Sequence, residues 1–537
     1  MTKHKQIVPQ RPKASLPRKQ IVKVADSSAS KPAHAKSRPA PQCQGLHAKL
    51  KPEHTRPNKA KHAKQKAAQG ECSASPPALY SGPPLLTASE LEEAEARIWD
   101  PEAGPHALAS SSGLPTADAF EDRSLAREAR RGEALRRLRL SFVEAMRAFE
   151  LHTPCVGAFE RWHLAWLLEA RTAAGRSEQQ DTLLPATPTC APPRWEADVE
   201  LQDELTRAGA SAEAAAAAVS SLRGAAASAA AALAREKTAG GGGELEAVAI
   251  GPNSGGGPKS AGLWTVSWPG AGGGSTSLKL APAHLEKLRS FHSKASEPGR
   301  FGLDLARLLL RYKSLGGSGF QAALGGAAFA ALRKAFGVGA ELFASPLNAR
   351  TAPFCSGFAD VDGAFGSAGS FLGATLAEGC YEANPPFCPP LIGAMARKMG
   401  AALDEAERHG RALLFVVVVG ASSALRRHAA WAELERLAAG PHGRAHWSIA
   451  LQHHGYTEGH AHICPGGPRE ASRMSSCATS VFVLASCAAA KEWPVTPQKE
   501  AALRAAMRAT VPARLKRATK ANKRAHAIKN LKKKGAR

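Results

Sequence analysis

The chain has 537 residues, with 71 Lys and Arg against 46 Asp and Glu, a formal net charge of +25 and only 6% aromatic residues. That length leaves room for two or three domains and a sizeable core, and so large a positive excess points to polyanions, with nucleic acid ahead of membrane. No run reaches the roughly 18 apolar residues of a membrane-crossing helix, no secretory signal is expected at the N-terminus, and the ten cysteines include no Cys-x-x-Cys pair, which suits buried free thiols in a reducing compartment.

Residues 1–68 are rich in Lys, Arg, Pro and His and almost devoid of acidic or aromatic residues, so a disordered basic tail is expected over 1–115. Clusters such as Arg18-Lys19 suit nuclear import or RNA phosphates, a transit peptide being the alternative. Residues 116–240 read as a helical domain: Leu135, Leu138, Phe142, Ala145 and Phe149 recur at three- and four-residue steps, and Arg161 to Leu168 continue in a second helix. Arg130, Arg131 and Arg161 are candidate phosphate contacts beside a nucleic-acid site, or a solvated face. An alanine-dominated helix over 200–237 is expected to lie along the surface. Over 241–290, short alternating runs between glycine-rich turns, Leu263 to Trp268 above all, predict a small β meander. Over 291–500, strands near 340–344, 413–419, 446–451 and 480–484 alternate with helices, which predicts an α/β fold with a parallel, doubly wound sheet. Residues 501–537 are basic again, ending in Lys532-Lys533-Lys534, as a nuclear localisation signal or an arm for RNA would be.

Chemistry concentrates in Asn384-Pro385-Pro386-Phe387, between a short extended segment and a helix, the setting in which α/β enzymes present reactive groups at the carboxyl edge of a sheet. The four residues fit the pattern (Asp/Asn/Ser)-Pro-Pro-(Tyr/Phe/Trp) shared by methyltransferases acting on amino groups. An exocyclic amine is a poor nucleophile because its lone pair is delocalised into the ring. Accepting its N–H bonds on the Asn384 side-chain oxygen and the Pro385 carbonyl would localise that pair. The prolines hold the carbonyl in place, and Phe387 would stack on a base taken out of its neighbouring stack. S-adenosylmethionine then needs placement against the nitrogen, which supplies much of the rate. A proline-rich helix entry with an aromatic staple is the plain alternative. Asn348, Asp360 and Asp362 are candidates for donor binding, or ordinary loop caps. His453, His454, His460 and His462 with Cys464 lack structural-zinc spacing, so no metal is expected; His462 is instead a candidate substrate contact.

The motif's flanks extend the pattern. Phe343-Ala344-Ser345-Pro346-Leu347-Asn348, Phe354-Cys355-Ser356, Phe365-Gly366-Ser367, Glu382 to Cys388, Tyr456-x-x-Gly459-x-x-His462 and Trp493-Pro494-Val495-Thr496, in that order, resemble the phosphorylated-CTD-interacting-factor family. The resemblance covers roughly 119–496 and implies a helical domain packed on a Rossmann-like methyltransferase core. It further implies S-adenosylmethionine as donor, capped messenger RNA as partner, and N6-methylation of the 2′-O-methyladenosine next to the cap. By position, Asn384 to Phe387 become the catalytic and donor-binding tetrad. Two departures stand out. Trp99 is the first tryptophan, so no WW-type pair precedes it to engage the RNA polymerase II tail. Where the family carries Pro-Glu-Trp-Arg facing substrate, this chain has Gly420-Ala421-Ser422-Ser423, which leaves Ser422 and Ser423 as substrate contacts. Alternatives are adenine N6-methylation on uncapped RNA or DNA, and an inactive RNA-binding scaffold, though a scaffold needs neither the acceptor pair nor the stacking ring.

Overall fold

Thr87 opens the first helix with a reciprocal cap: its hydroxyl accepts the Glu90 N–H at 3.2 Å, and the Glu90 carboxylate accepts the Thr87 N–H at 2.6 Å. The computed structural model describes residues 80–100, 108, 124–148, 157–173, 181–184, 195–237, 247–253, 262–270, 274–296, 298–316, 320–467 and 469–511. Of the tails expected over 1–115 and 501–537, residues 1–79 and 512–537 lie outside these residues. Helix α1 (Ala88–Ala96) falls inside the stretch expected to be disordered through 115, and it folds because it has a docking partner. Its buried Glu95 accepts the Ala327 N–H at 3.0 Å at the start of a later helix, where Gly326 permits close approach; a Cβ there would lie 2.0 Å from the Ala94 carbonyl oxygen.

Four helices follow: α2 (Leu125–Ala148), α3 (Ala158–Ala173), α4 (Glu196–Ala208) and α5 (Ala212–Lys237). The expected single alanine helix is thus two helices, broken at Gly209, which caps α4 at φ 113°. Helix α5 lies along the surface as expected, but with one stripe buried. Ala215, Val219, Leu222, Ala226 and Leu233 are buried, packing α5 against α2 and α4, because small side chains let helices approach closely. Among the described residues, α5 is the one helix long and apolar enough by composition to cross a membrane, contrary to the expectation of none; its alanines carry the average, and its buried stripe belongs to this packing.

Strands β1 (Ala249–Pro252), β2 (Trp264–Pro269) and β3 (Ser275–Leu280) form an antiparallel sheet that turns Val266, Trp268 and Leu280 inward. Helices α6 (Pro282–Ala295), α7 (Phe301–Leu315) and α8 (Gly326–Phe336) lead to β4 (Ala340–Glu341), and the short α9 (Ala359–Asp362) precedes β5 (Gly379–Ala383). Then come α10 (Pro389–Arg408), opened by Pro389-Pro390 where no N–H is needed, β6 (Leu413–Gly420), α11 (Ser423–Arg426), α12 (Ala429–Ala439), β7 (Gly443–Ile449), β8 (Gly455–Thr457), β9 (Ser472–Met474), β10 (Thr479–Ala485), α13 (Cys487–Glu492) and α14 (Pro497–Ala509).

The main sheet runs β4-β5-β6-β10-β7. Strands β4, β5 and β6 pair in parallel, but β10 enters between β6 and β7 antiparallel to both. The expected all-parallel sheet is therefore a mixed one. An apolar run such as Val481 to Ala485 suits a strand buried on both faces in either direction, so its hydropathy carries no sign of direction. Every residue of β6 is buried, with Phe415, Val417 and Val419 against Ile392, Met395 and Trp431 on one face. Leu414, Val416 and Val418 meet Leu332, Phe336, Leu503 and Met507 on the other, so α14 is core beyond the tail boundary expected at 500. One apolar cluster runs from Leu135 and Trp162 through Val266 and Leu305 to Phe354 and Cys388, so packing is continuous across positions 240 and 290.

Candidate active site

Strand β5 ends at Ala383, and the next residues leave the sheet at its carboxyl edge. Pro385 and Cys388 are buried; Asn384, Pro386 and Phe387 are partly exposed. Asn384 and Pro386 face a cleft that, with its open mouth, encloses about 1220 Å³. Phe387 lies outside that lining, its ring against the end of β6: a Cβ at Gly420 would fall 2.4 Å from it. The tetrad thus divides between the cleft and the sheet edge beside it.

The second wall comes from the segment after β4, including Phe343, Ser345 and Asn348. The Ser345 N–H and hydroxyl donate to the Asn348 side-chain oxygen at 2.7 and 3.0 Å. Asn348 Nδ2 donates to the Gln321 carbonyl at 3.1 Å, and Asn384 Nδ2 donates to the neighbouring Ala322 carbonyl at 3.5 Å. Two asparagines therefore turn their amide nitrogens to one short strap, Asn348 closely and Asn384 at the long limit. That orientation leaves Asn384 Oδ1 as an acceptor which no donor among the described residues engages. The strap is anchored further by paired hydrogen bonds of 2.9 Å between Ala323 and Thr457. The third wall is helical: Arg139 of α2, Glu160, Leu164 and Leu167 of α3, and Tyr312 of α7.

Asp360 and Asp362 lie behind this wall, both buried. Arg311, fully buried, donates to Asp360 at 3.1 and 2.7 Å and to Glu128 at 2.6 and 2.9 Å. Burial opposes ionisation of Asp360, yet the Arg311 guanidinium holds its carboxyl well below the usual range. The Tyr312 hydroxyl donates to Asp362 at 2.8 Å, and burial pushes that carboxyl up to about 7. Neither carboxylate lines the cleft, where the donor-binding expectation would put them: Asp360 is taken up by Arg311, and Asp362, whose Oδ1 has no hydrogen-bond partner, is buried away from the lining. They join helices instead.

The three candidate arginines do not converge on the cleft either. Arg130 is exposed on α2. Arg131 is buried, donating to Asp181 at 2.8 Å and to Glu128 at 3.0 Å, and Arg161 is paired with Glu204. Helical phase is the cause, since 131 and 139 present different directions of the same helix. Ser422 caps α11, its hydroxyl accepting the Leu425 N–H at 3.2 Å, and with Ser423 it is exposed just after Gly420. His462 Nδ1 donates to the Gly459 carbonyl, 3.1 Å away, and the ring packs edge-on to His284 at 6.5 Å, away from the cleft lining. Glu160 and Gln321 are not marked by the sequence, because no motif surrounds them, and Arg139 stands out there only as one of the arginines that make α2 basic.

Behind β4 and β5, Glu341 and Glu382 sit side by side in register and buried. Burial pushes Glu341 up to about 7 and Glu382 well above the carboxylate range, while burial also lowers Lys287 to about 7; Lys287 donates to the Leu347 and Ala349 carbonyls at 2.8 and 3.1 Å. This layer supports the loop that carries Asn348.

Residues 284–459 match the family model described as "Phosphorylated CTD interacting factor 1 WW domain"; here that span runs from α6 past β8 and includes both strand ends of the cleft. The chain is 33% identical over 197 residues to the mRNA (2'-O-methyladenosine-N(6)-)-methyltransferase of Homo sapiens, covering 36% of this chain and 26% of that protein. It is 32% identical over 195 residues to the protein of the same name from Mus musculus, covering 35% and 26%. The match thus spans about a quarter of each relative. The family model, the relatives and the ordered motifs around Asn384 agree: over residues 284–459 this chain matches the phosphorylated-CTD-interacting-factor family.

Proposed function

We propose that this chain transfers a methyl group from S-adenosylmethionine to the N6 amine of adenosine in RNA, with the cap-adjacent 2′-O-methyladenosine named for its relatives as the preferred target. The observation that carries the reading is the position of Asn384 Oδ1. It is an unengaged acceptor at the carboxyl edge of the sheet, its Nδ2 turned toward the Ala322 carbonyl at 3.5 Å, and it opens on the cleft.

The cleft suits the donor. Its wall is mostly apolar, from Leu164, Leu167, Phe343 and Phe371, as an adenosine and a thioether chain require. Gln321 Nε2 lies buried on that wall without a hydrogen-bond partner, a polar atom placed for a ligand. When bound, the donor supplies an electrophilic methyl group. The protein's part is positional. Asn384 Oδ1 and the Pro385 carbonyl accept the amine's hydrogens and localise its lone pair. The Ala322 carbonyl of the strap draws the amide Nδ2 toward itself, and Phe387 on the Gly420 backbone offers a face for the base. We place this activity in the nucleus, on the basic clusters near both ends of the sequence.

Asn384→Ala should lower methyl transfer by roughly 10²–10³-fold, the usual effect of removing one preorganised polar group, while S-adenosylhomocysteine still binds. Activity within about threefold of wild type would remove Asn384 from the chemistry. One observation favours a second reading, adenines of uncapped RNA: Arg131 and Arg161 are engaged in ion pairs, so neither is free for a cap's triphosphate. Equal rates on capped and 5′-hydroxyl oligonucleotides would select it.

A further inference from the structure

We propose that Arg139 and Glu160 form a clamp for the amino-acid end of the methyl donor, Arg139 taking its carboxylate and Glu160 its ammonium. The inference rests on the reading that this cleft takes such a donor. Among the described residues lining the cleft, these two are the only Asp, Glu, Lys or Arg. A zwitterion entering a mostly apolar cleft, whose other polar lining groups such as Gln321, Asn348 and Ser356 carry no formal charge, needs both charges met.

The pair is poised for exchange. Arg139 Nε donates to Glu160 Oε1 at 2.8 Å, which leaves Glu160 Oε2 with no described hydrogen bond. The terminal nitrogens of Arg139 reach the Ser314 and Leu315 carbonyls only at 3.5 and 3.4 Å, the long limit of hydrogen bonding. A carboxylate would take that guanidinium fork with stronger, charge-assisted bonds. The guanidinium also lies 5.1 Å over the Phe159 ring, which holds it at the wall. Both side chains are about three-quarters buried, at 27% and 25% exposure, so their charges are screened less than those of a surface pair. The clamp comes wholly from α2 and α3. The donor site would therefore be completed by the helical layer, beyond the strand ends that carry the motif.

The test is calorimetric titration of the full chain with two nucleosides. S-adenosylhomocysteine carries the zwitterion; 5′-methylthioadenosine has the same adenosine and sulfur without it. Wild type should prefer the former by at least about tenfold, as charge-assisted contacts imply. Glu160→Gln and Arg139→Gln should each cut that preference to within about threefold, with methylthioadenosine affinity unchanged within about twofold. An undiminished preference in both variants overturns the clamp. So does a variant that loses both nucleosides equally, because removing the clamp spares the adenosine half. Loss of RNA affinity in Arg139→Gln with homocysteine-adduct binding intact would assign Arg139 to phosphate instead. If wild type binds neither nucleoside, the methyl-donor reading itself fails.

Discussion

Replacing Arg311 by methionine should unfold more of this protein than any change in the cleft. Its guanidinium is fully buried and makes four charge-assisted bonds, two each to Glu128 of α2 and Asp360 of α9. Methionine fills a similar length but leaves both carboxylates without their shared cation. Breaking a buried pair in this way costs about 3–5 kcal/mol, because the surviving charge stays desolvated. Against a typical domain stability of about 5–15 kcal/mol, that is a large fraction. Equilibrium unfolding in urea at pH 7 measures it. A variant within about 1 kcal/mol of wild type would refute the reasoning. The pH dependence supplies a second reading. Asp360's carboxyl is depressed in the folded state, so its contribution is present above the unfolded value of about 3.9 and is lost as pH falls through the folded value below it. Asp360→Asn should therefore destabilise the fold at neutral pH, while folded protein keeps its S-adenosylhomocysteine affinity within about twofold. Intact stability with a large loss of donor affinity would return Asp360 to donor binding.

Gly420→Ala places a methyl 2.4 Å from the Phe387 ring, so the ring must move; overpacking of this kind costs about 1–3 kcal/mol, and RNA methylation should fall at least tenfold in kcat/KM with S-adenosylhomocysteine binding little changed. Unchanged kcat/KM would show that the ring's position does not matter. Glu341's carboxyl is raised by burial to about 7, so its contribution is fully present below the unfolded value of about 4.3 and lost as pH rises through 7. Glu341→Gln removes that titration, and the stability of wild type relative to the variant should decline between about pH 4.5 and 7 in urea melts; a constant difference would mean that Glu341 is ionised throughout.

What the linear chain determined is local. The prolines at 385, 386, 389 and 390 restrict the backbone around Asn384 and start α10 whatever surrounds them. The short, valine-rich apolar run of β6 favours a buried strand, and the three-to-four spacing of Leu135, Leu138 and Phe142 favours a helix facing a core. The ordered motifs from Phe343 to Trp493 carried the family. Tertiary structure decided everything that depends on direction and on who stands opposite. Strand hydropathy is blind to polarity, so the antiparallel insertion of β10 was not legible. Alanine propensity predicts a helix but not its burial, which for α5 came from the grooves of α2 and α4. Charge was the least readable property. Arg131, Asp360 and Asp362 look like ligands in a sequence because each is ionisable and near a motif, yet their nearest partners come from distant parts of the chain. Arg139 and Glu160 look like any solvated helix face, and only the packing of α2 and α3 against the sheet edge brings them to the cleft. An ionisable side chain takes its role from the charge nearest in space, and contacts such as Glu128 with Arg311, made across long stretches of chain, leave no trace in local composition.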